Sequence, residues 1–239
     1  MSEHAHRAGA TFVSGVAPQL GGRRPDRRGG AARWLGVAAL CLAALVATWC
    51  ASALVAGVRF KDAVALHDFT LLNRPHVDTV ANALLKLLEP APFTVLAVAL
   101  VAVAVARKRP RLAVAVAAVS ALAPLSCELL KPLLAHGHDQ LPGAYIADAS
   151  WPSGHATAAV VLALCALLVC PRHLRVLVGA IGACFVLAVG CSLLILAWHM
   201  PSDVIGGYLL GALWVALAVA ALRIRGPGRR DLRPTAARA

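Results

Sequence analysis

Charged and aromatic side chains are scarce in this chain. Of its 239 residues, 14% are charged, 5% are aromatic and only 11 are acidic. Soluble domains carry about 25% charged residues, so the shortage argues against an ordinary soluble enzyme. Disorder of the whole chain is excluded by the 60% of hydrophobic residues, because disordered chains lack apolar groups to bury. No Cys-x-x-Cys pair occurs. The seven cysteines are odd in number and lie in or beside apolar stretches. They read as small apolar residues of buried helices rather than as a zinc site or a disulfide framework. The basic ends carry no interleaved aromatics and no recognition motif, so the formal charge of +12 does not point to nucleic acid.

What is abundant is Ala, Val and Leu, in six long runs: 34–58, 91–106, 112–130, 155–170, 174–198 and 202–222. A helix crossing roughly 30 Å of hydrocarbon needs about 20 residues. The second and fourth runs reach that length by extending a turn into their flanks. The later runs carry Gly179, Gly182, Gly190, Gly206, Gly207 and Gly211, which let membrane helices approach closely. The expected fold is all-α, an integral membrane bundle of six transmembrane helices over 34–222. A disordered basic cytoplasmic tail, 1–33, precedes it, and a second basic cytoplasmic tail, 223–239, follows. The first run is too long for a signal-peptide core and reads as a retained span.

With the N-terminus in the cytoplasm and each run crossing once, the basic residues fall mostly inside. Only Arg59, Lys61, Arg74, Lys86 and Lys131 of the 23 lie outside. This bias sets orientation, so both termini are expected in the cytoplasm of a cell inner (plasma) membrane. Membrane lipid is then the surrounding partner, and the inner basic residues face its anionic headgroups. Composition suggests a GC-rich bacterial genome, and it sets no oligomeric state. Among the outer loops, apolar residues at Val77, Val80, Leu84 and Leu85 recur at helical spacing. They predict an amphipathic helix lying at the interface.

Three pieces on the outer side carry chemistry. Lys131 is followed by His136, His138 and Asp139. Pro152-Ser153-Gly154-His155 opens the fourth run. His199-Met200-Pro201-Ser202-Asp203 joins the fifth run to the sixth. Ser153 is a natural N-cap, and the free N–H groups of Gly154 and its neighbours make an anion site at a helix start. His155 stands beside that site, able to pass a proton. Asp203, four residues after His199, can fix the imidazole tautomer and raise the basicity of the other nitrogen, which a His nucleophile requires. Taken singly, Pro152-Ser153-Gly154-His155 is also a plain capping sequence with an interfacial His. His199 and Asp203 also read as a His–Asp pair that caps a helix.

Pro152-Ser153-Gly154-His155, followed by His199 and Asp203, resembles the type 2 phosphatidic acid phosphatase superfamily. Its pattern runs Lys, six residues, Arg-Pro; then Pro-Ser-Gly-His; then Ser-Arg, five residues, His, three residues, Asp. The resemblance implies that His199 attacks phosphorus to form a phosphohistidine, that Asp203 orients it, and that His155 protonates the leaving group. It implies that Lys131, the Ser153 hydroxyl and the Gly154 amide hold the phosphate, with no metal and no cofactor. The implied activity is metal-independent hydrolysis of a phosphomonoester or diphosphate of a lipid or prenyl alcohol, at the extracytoplasmic face.

Two positions depart from the pattern. His138-Asp139 stands where the family has Arg-Pro, and Ser192-Leu193 stands where it has Ser-Arg. His138 is expected to supply partial positive charge to the phosphate, with activity improving at mildly acidic pH. Leu193 supplies none, and Arg is the residue that grips phosphate with a two-pronged fork. The alternative to an active phosphatase is a catalytically weak relative that binds a phosphorylated lipid or acts as a structural membrane partner.

Overall fold

A computed structural model describes residues 27–139 and 145–224. Most of each expected tail, 1–26 and 225–239, lies outside the described residues. Among the described residues every regular element is helical. They are α1 (Arg27–Leu54), α2 (Ala56–Thr70), α3 (Pro75–Lys86), α4 (Pro90–Ala106), α5 (Pro110–Leu133), α6 (Gly154–Val169), α7 (Arg175–Ile195) and α8 (Pro201–Ile224). A single 3-10 turn, Arg172–Leu174, leads into α7.

Pro opens α3, α4, α5 and α8, where its missing N–H costs nothing. Among the described residues four stretches are long and apolar enough to cross a membrane: Gly29–Leu54, Pro110–Leu133, Arg172–Ile195 and Pro201–Ile224. The α3–α4 pair makes a fifth if its 56° bend is one broken span, and α6 is a shorter apolar helix. The helix expected from the spacing of Val77, Val80, Leu84 and Leu85 is α3, which packs on α7 and turns into α4 at Glu89. α1 begins at Arg27, earlier than its apolar run. α2 arises in a stretch read as a loop from sequence. Val55, in extended conformation, separates it from α1, and Arg59 donates to the Ala53 carbonyl at the end of α1 (2.8 Å).

α6 sits in the middle, packed on α4, α5, α7 and α8, and its run Ala156–Val161 is buried. The outer helices turn Leu40, Val46, Val95, Val114 and Val176 outward, as a lipid-facing surface requires. Lipid tails are as apolar as the helices, so small residues and interhelical hydrogen bonds hold such bundles together. At Gly207 an added Cβ would run into the Ser153 carbonyl and the Ala156 side chain. α8 thus touches the first turn of α6 backbone to backbone. Thr157 Oγ1 seals the contact by donating to the Gly207 carbonyl (3.1 Å). Tyr208 donates to the Val186 carbonyl (2.6 Å), and Trp214 Nε1 to Ser126 Oγ (2.9 Å). Bonds of this kind average about 0.6 kcal/mol each in membranes.

The ends of the bundle differ in charge. Gly30 near the start of α1 abuts Arg223 at the end of α8. Arg107, between α4 and α5, donates to the Val169 carbonyl at the end of α6. Arg109, Arg172 and Arg175 flank the same turns. The starts of α6 and α8 lie at the opposite end.

Candidate active site

At that opposite end a cavity of about 840 Å³ opens between α4, α5, α6 and the α7–α8 turn. Its wall includes Lys131, Gly154, His155 and His199, together with Glu89 and Glu128. Leu88, Phe93, Pro124 and Trp198 supply apolar lining. A second concavity of about 590 Å³, between α5 and α8, is lined by neither His nor carboxylate.

Ser153 caps α6: its Oγ accepts from the Ala156 amide (3.4 Å), and the residue is fully buried. Its hydroxyl serves the helix start and does not line the cavity; Gly154 does. The Ser153 N–H donates to the backbone carbonyl of Asp203 (3.0 Å), which ties the first turn of α6 to that of α8. His155 thereby reaches the cavity beside the α7–α8 turn, where its ring meets Trp198 edge-on at 5.7 Å. Ala197, just before Trp198, has φ 52°. It closes the end of α7, where the Ala197 and Trp198 N–H groups donate to the Leu194 and Leu193 carbonyls.

Asp203 is fully buried. One of its oxygens, Oδ2, accepts from His199 Nδ1 (3.4 Å), the Met200 N–H (3.0 Å) and Ser150 Oγ (2.7 Å). A carboxylate only accepts, so Nδ1 carries the proton and Nε2 of His199 keeps its lone pair. The 3.4 Å separation is long, as catalytic hydrogen bonds often are before substrate binds.

His138 lies behind this pair. Its Nε2 is 3.0 Å from Ser150 Oγ. Ser150 gives its proton to Asp203, so the hydroxyl oxygen accepts from His138 Nε2–H. The series His138–Ser150–Asp203–His199 is thus a continuous hydrogen-bonded chain, and His138 is absent from the cavity wall. Burial pushes the His138 pKa down, and neighbouring His136 pushes the same way. Asp203, Asp148 and a bond to the Ala147 backbone oppose them without prevailing.

Lys131 Nζ is paired with Glu128 Oε1 at 2.7 Å. The same oxygen lies 3.5 Å from where a Cβ of Gly154 would be. A carboxylate therefore occupies the space beside the α6 N-terminus. Leu193 is fully buried in the core, away from the cavity wall.

Four participants escape sequence reasoning. Glu128 had a signal, its spacing of three from Lys131. Ser150, and Ser120 on the α5 side of the cavity wall, had none. Asp62, on α2, accepts from the Ser202 N–H (3.1 Å) and from the Ser202 hydroxyl (2.5 Å), and so caps α8 from a distant helix. Burial raises its carboxyl pKa above the usual range, reinforced by nearby Asp203, while the Ser202 bonds and His136 pull it back. Among the described residues no group of three His, Cys, Asp or Glu side chains is spaced to hold a metal ion.

The family model of the PAP2 superfamily matches residues 84–226. A search of curated proteins found no match. Among solved structures, the fold is similar to a transmembrane PAP2-type phosphatidylglycerolphosphate phosphatase from Bacillus subtilis. The TM-score is 0.69 at 22% identity, covering 80% of this chain and 98% of that one.

Proposed function

Because the chain belongs to the PAP2 superfamily, we propose that it is a multi-pass membrane phosphatase. Its substrate is a lipid phosphate or diphosphate, and its site faces away from the cytoplasm. One observation carries the reading. A buried Asp203 holds the Nδ1 proton of His199 while His199, His155, Lys131 and the start of α6 share one cavity. The chemistry follows from that arrangement. The lone pair of His199 Nε2 attacks phosphorus, and the bond from phosphorus to the lipid oxygen breaks. His155 gives its proton to that oxygen. Water then attacks the phosphohistidine, His155 takes the water's proton, and the N–P bond breaks to release phosphate. Lys131 and the Gly154 N–H stabilise charge on the phosphoryl oxygens. Ser153 acts by fixing the α6 start. His138, in place of the phosphate-binding role its spacing suggested, is a positioning residue behind Asp203.

Six crossings are the matching topology, with α3–α4 as one bent span and α6 as a short one. The basic turns lie inside. Labelling of intact cells at Tyr145→Cys but not at Arg109→Cys is the expected result, and the reverse pattern defeats this orientation. For activity, detergent-purified protein is expected to release phosphate from a panel of lipid phosphates and diphosphates in EDTA. His199→Ala should abolish release. Turnover surviving in His199→Ala ends this mechanism, and strict dependence on a divalent ion replaces it with metal-assisted hydrolysis.

A second reading, a weak relative that binds phosphorylated lipid, draws on three facts. Lys131 is already paired with Glu128, His138 points to Ser150, and Leu193 is buried. Inactivity across the panel, with retained binding, would favour it.

A further inference from the structure

We propose that Ser120 is a substrate-recognition residue that donates a hydrogen bond to the ester carbonyl of an acylglycerol phosphate. The site then takes ester-linked glycerolipid phosphates in preference to prenyl phosphates. The proposal rests on the phosphatase reading and deepens it.

Ser120 lies in the middle of α5 and lines the cavity that holds His155 and His199. Its side chain is buried, at 8% exposure, yet its Oγ has no hydrogen-bond partner among the described residues. The other hydroxyls of apolar helices behave differently. Thr48 donates to the Ala44 carbonyl, Thr94 to Pro90, Ser126 to Ala123 and Ser192 to Ala188. That back-bonding to the same helix is how a Ser or Thr normally hides its polarity. Ser120 forgoes it.

The backbone adds a second, independent signal. Pro124, four residues on, sits inside α5 and also lines the cavity. Pro has no N–H, so the Ser120 carbonyl loses its helical donor. Position 120 thus combines a hydroxyl without a partner and a carbonyl without its helix bond. At membrane depth such groups are tolerated where they line a cavity.

The depth fits one class of ligand. Glu128 Oε1 beside Gly154 marks the level of the phosphate, and Ser120 is eight residues deeper on α5, roughly 12 Å. A hydrogen bond spans roughly 3 Å of that. The remaining 9 Å or so matches the run from phosphorus through glycerol to an acyl carbonyl oxygen, roughly seven bonds advancing about 1.25 Å each. A prenyl phosphate presents only hydrocarbon there and leaves Ser120 unpaired.

The test compares dioleoyl phosphatidic acid, its dialkyl ether analogue lacking both carbonyls, and farnesyl phosphate, in detergent. The wild-type kcat/KM is expected to favour the ester over the ether roughly fivefold, the worth of one hydrogen bond. Ser120→Ala should erase that preference and leave the ether and prenyl substrates within about twofold. Equal wild-type rates on ester and ether overturn the proposal. So does an equal loss on all three substrates, which marks Ser120 as structural only. A parallel arm measures binding of the same lipids to His199→Ala and to His199→Ala/Ser120→Ala. Should no lipid be hydrolysed, the phosphatase reading fails, and this arm still decides Ser120. A roughly fivefold ester-specific loss in the double variant supports it, and no loss refutes it.

Discussion

Ser150 donates a 2.7 Å hydrogen bond to the carboxylate oxygen of Asp203 that also receives His199 Nδ1. Ser150 and His199, with α6 and α7 between them in the chain, thus share one acceptor. The bond holds the Asp203 carboxylate toward His199, so Ser150 would act on the proposed nucleophile without touching substrate. Ser150→Ala is expected to lower kcat about tenfold, equivalent to about 1.4 kcal/mol, with little change in KM. Ser150→Thr keeps the hydroxyl and should recover most of the rate. A rise in KM with unchanged kcat would place Ser150 in substrate binding instead.

On the proposed mechanism Glu128 would compete with substrate for Lys131. Its carboxylate is 2.7 Å from Lys131 Nζ and beside Gly154, where a phosphate would rest. Glu128→Gln removes the competing charge, and KM for a lipid phosphate should fall severalfold. Lys131→Met should raise KM and lower kcat together, because the ammonium serves both ground state and transition state. Unequal KM effects of the opposite sign would make Glu128 a support that holds Lys131 in place.

His138 sets a pH dependence of stability. Burial holds its folded pKa below the usual value, which is near 6.5 in an unfolded chain. Between the folded value and about 6.5 the unfolded chain binds more protons, so stability rises with pH there and is lost as pH falls through that window. Asp203 on α8, His136 and Asp148 face the same ring. Thermal unfolding in detergent between pH 7.5 and 5.5 should destabilise the wild type more than His138→Gln. Equal losses would show that His138 does not titrate within the fold. From the same geometry the opposite of that acid-side gain in activity is expected. A protonated His138 weakens the pull of Asp203 on His199, and His138→Arg should slow turnover at neutral pH.

Leu193 cannot be converted back to the family's Arg at low cost. It is fully buried in the core, and an unpaired buried charge costs about 3–5 kcal/mol. Leu193→Arg is expected to reduce folded yield and melting temperature without raising activity. A stable, faster enzyme would show that the side chain can reach the cavity.

Gly207→Ala tests the α6–α8 contact. The added methyl meets the Ser153 carbonyl, which is backbone and cannot swing aside, and the Ala156 methyl, so a loss of about 1–3 kcal/mol is expected. The shift separates His155 from His199, and kcat should fall more than stability alone explains. Unchanged kcat in a destabilised variant would uncouple the contact from the site.

Much of the fold was legible in the chain. Apolar runs too long for soluble strands require membrane helices, because no other open structure satisfies its backbone in lipid. Arg107, Arg109, Arg172 and Arg175 mark one end by charge alone. Pro152-Ser153-Gly154-His155 and the His199–Asp203 spacing pointed to two helix starts, because local geometry is encoded locally: a cap, a helix start, a turn. Only the tertiary structure decided what those residues meet. The spacing of His138 from Lys131 suggested a phosphate ligand, yet the loop carries its ring to Ser150 and Asp203. Asp62 reaches Ser202 across 140 positions. Ser120 looked like any helical serine until its hydroxyl was seen to lack the usual bond to its own helix. Sequence patterns report periodicity and neighbours along the chain. Hydrogen-bond direction and cavity shape depend on which distant helices pack together, and that depends on three-dimensional contacts such as the one Gly207 permits.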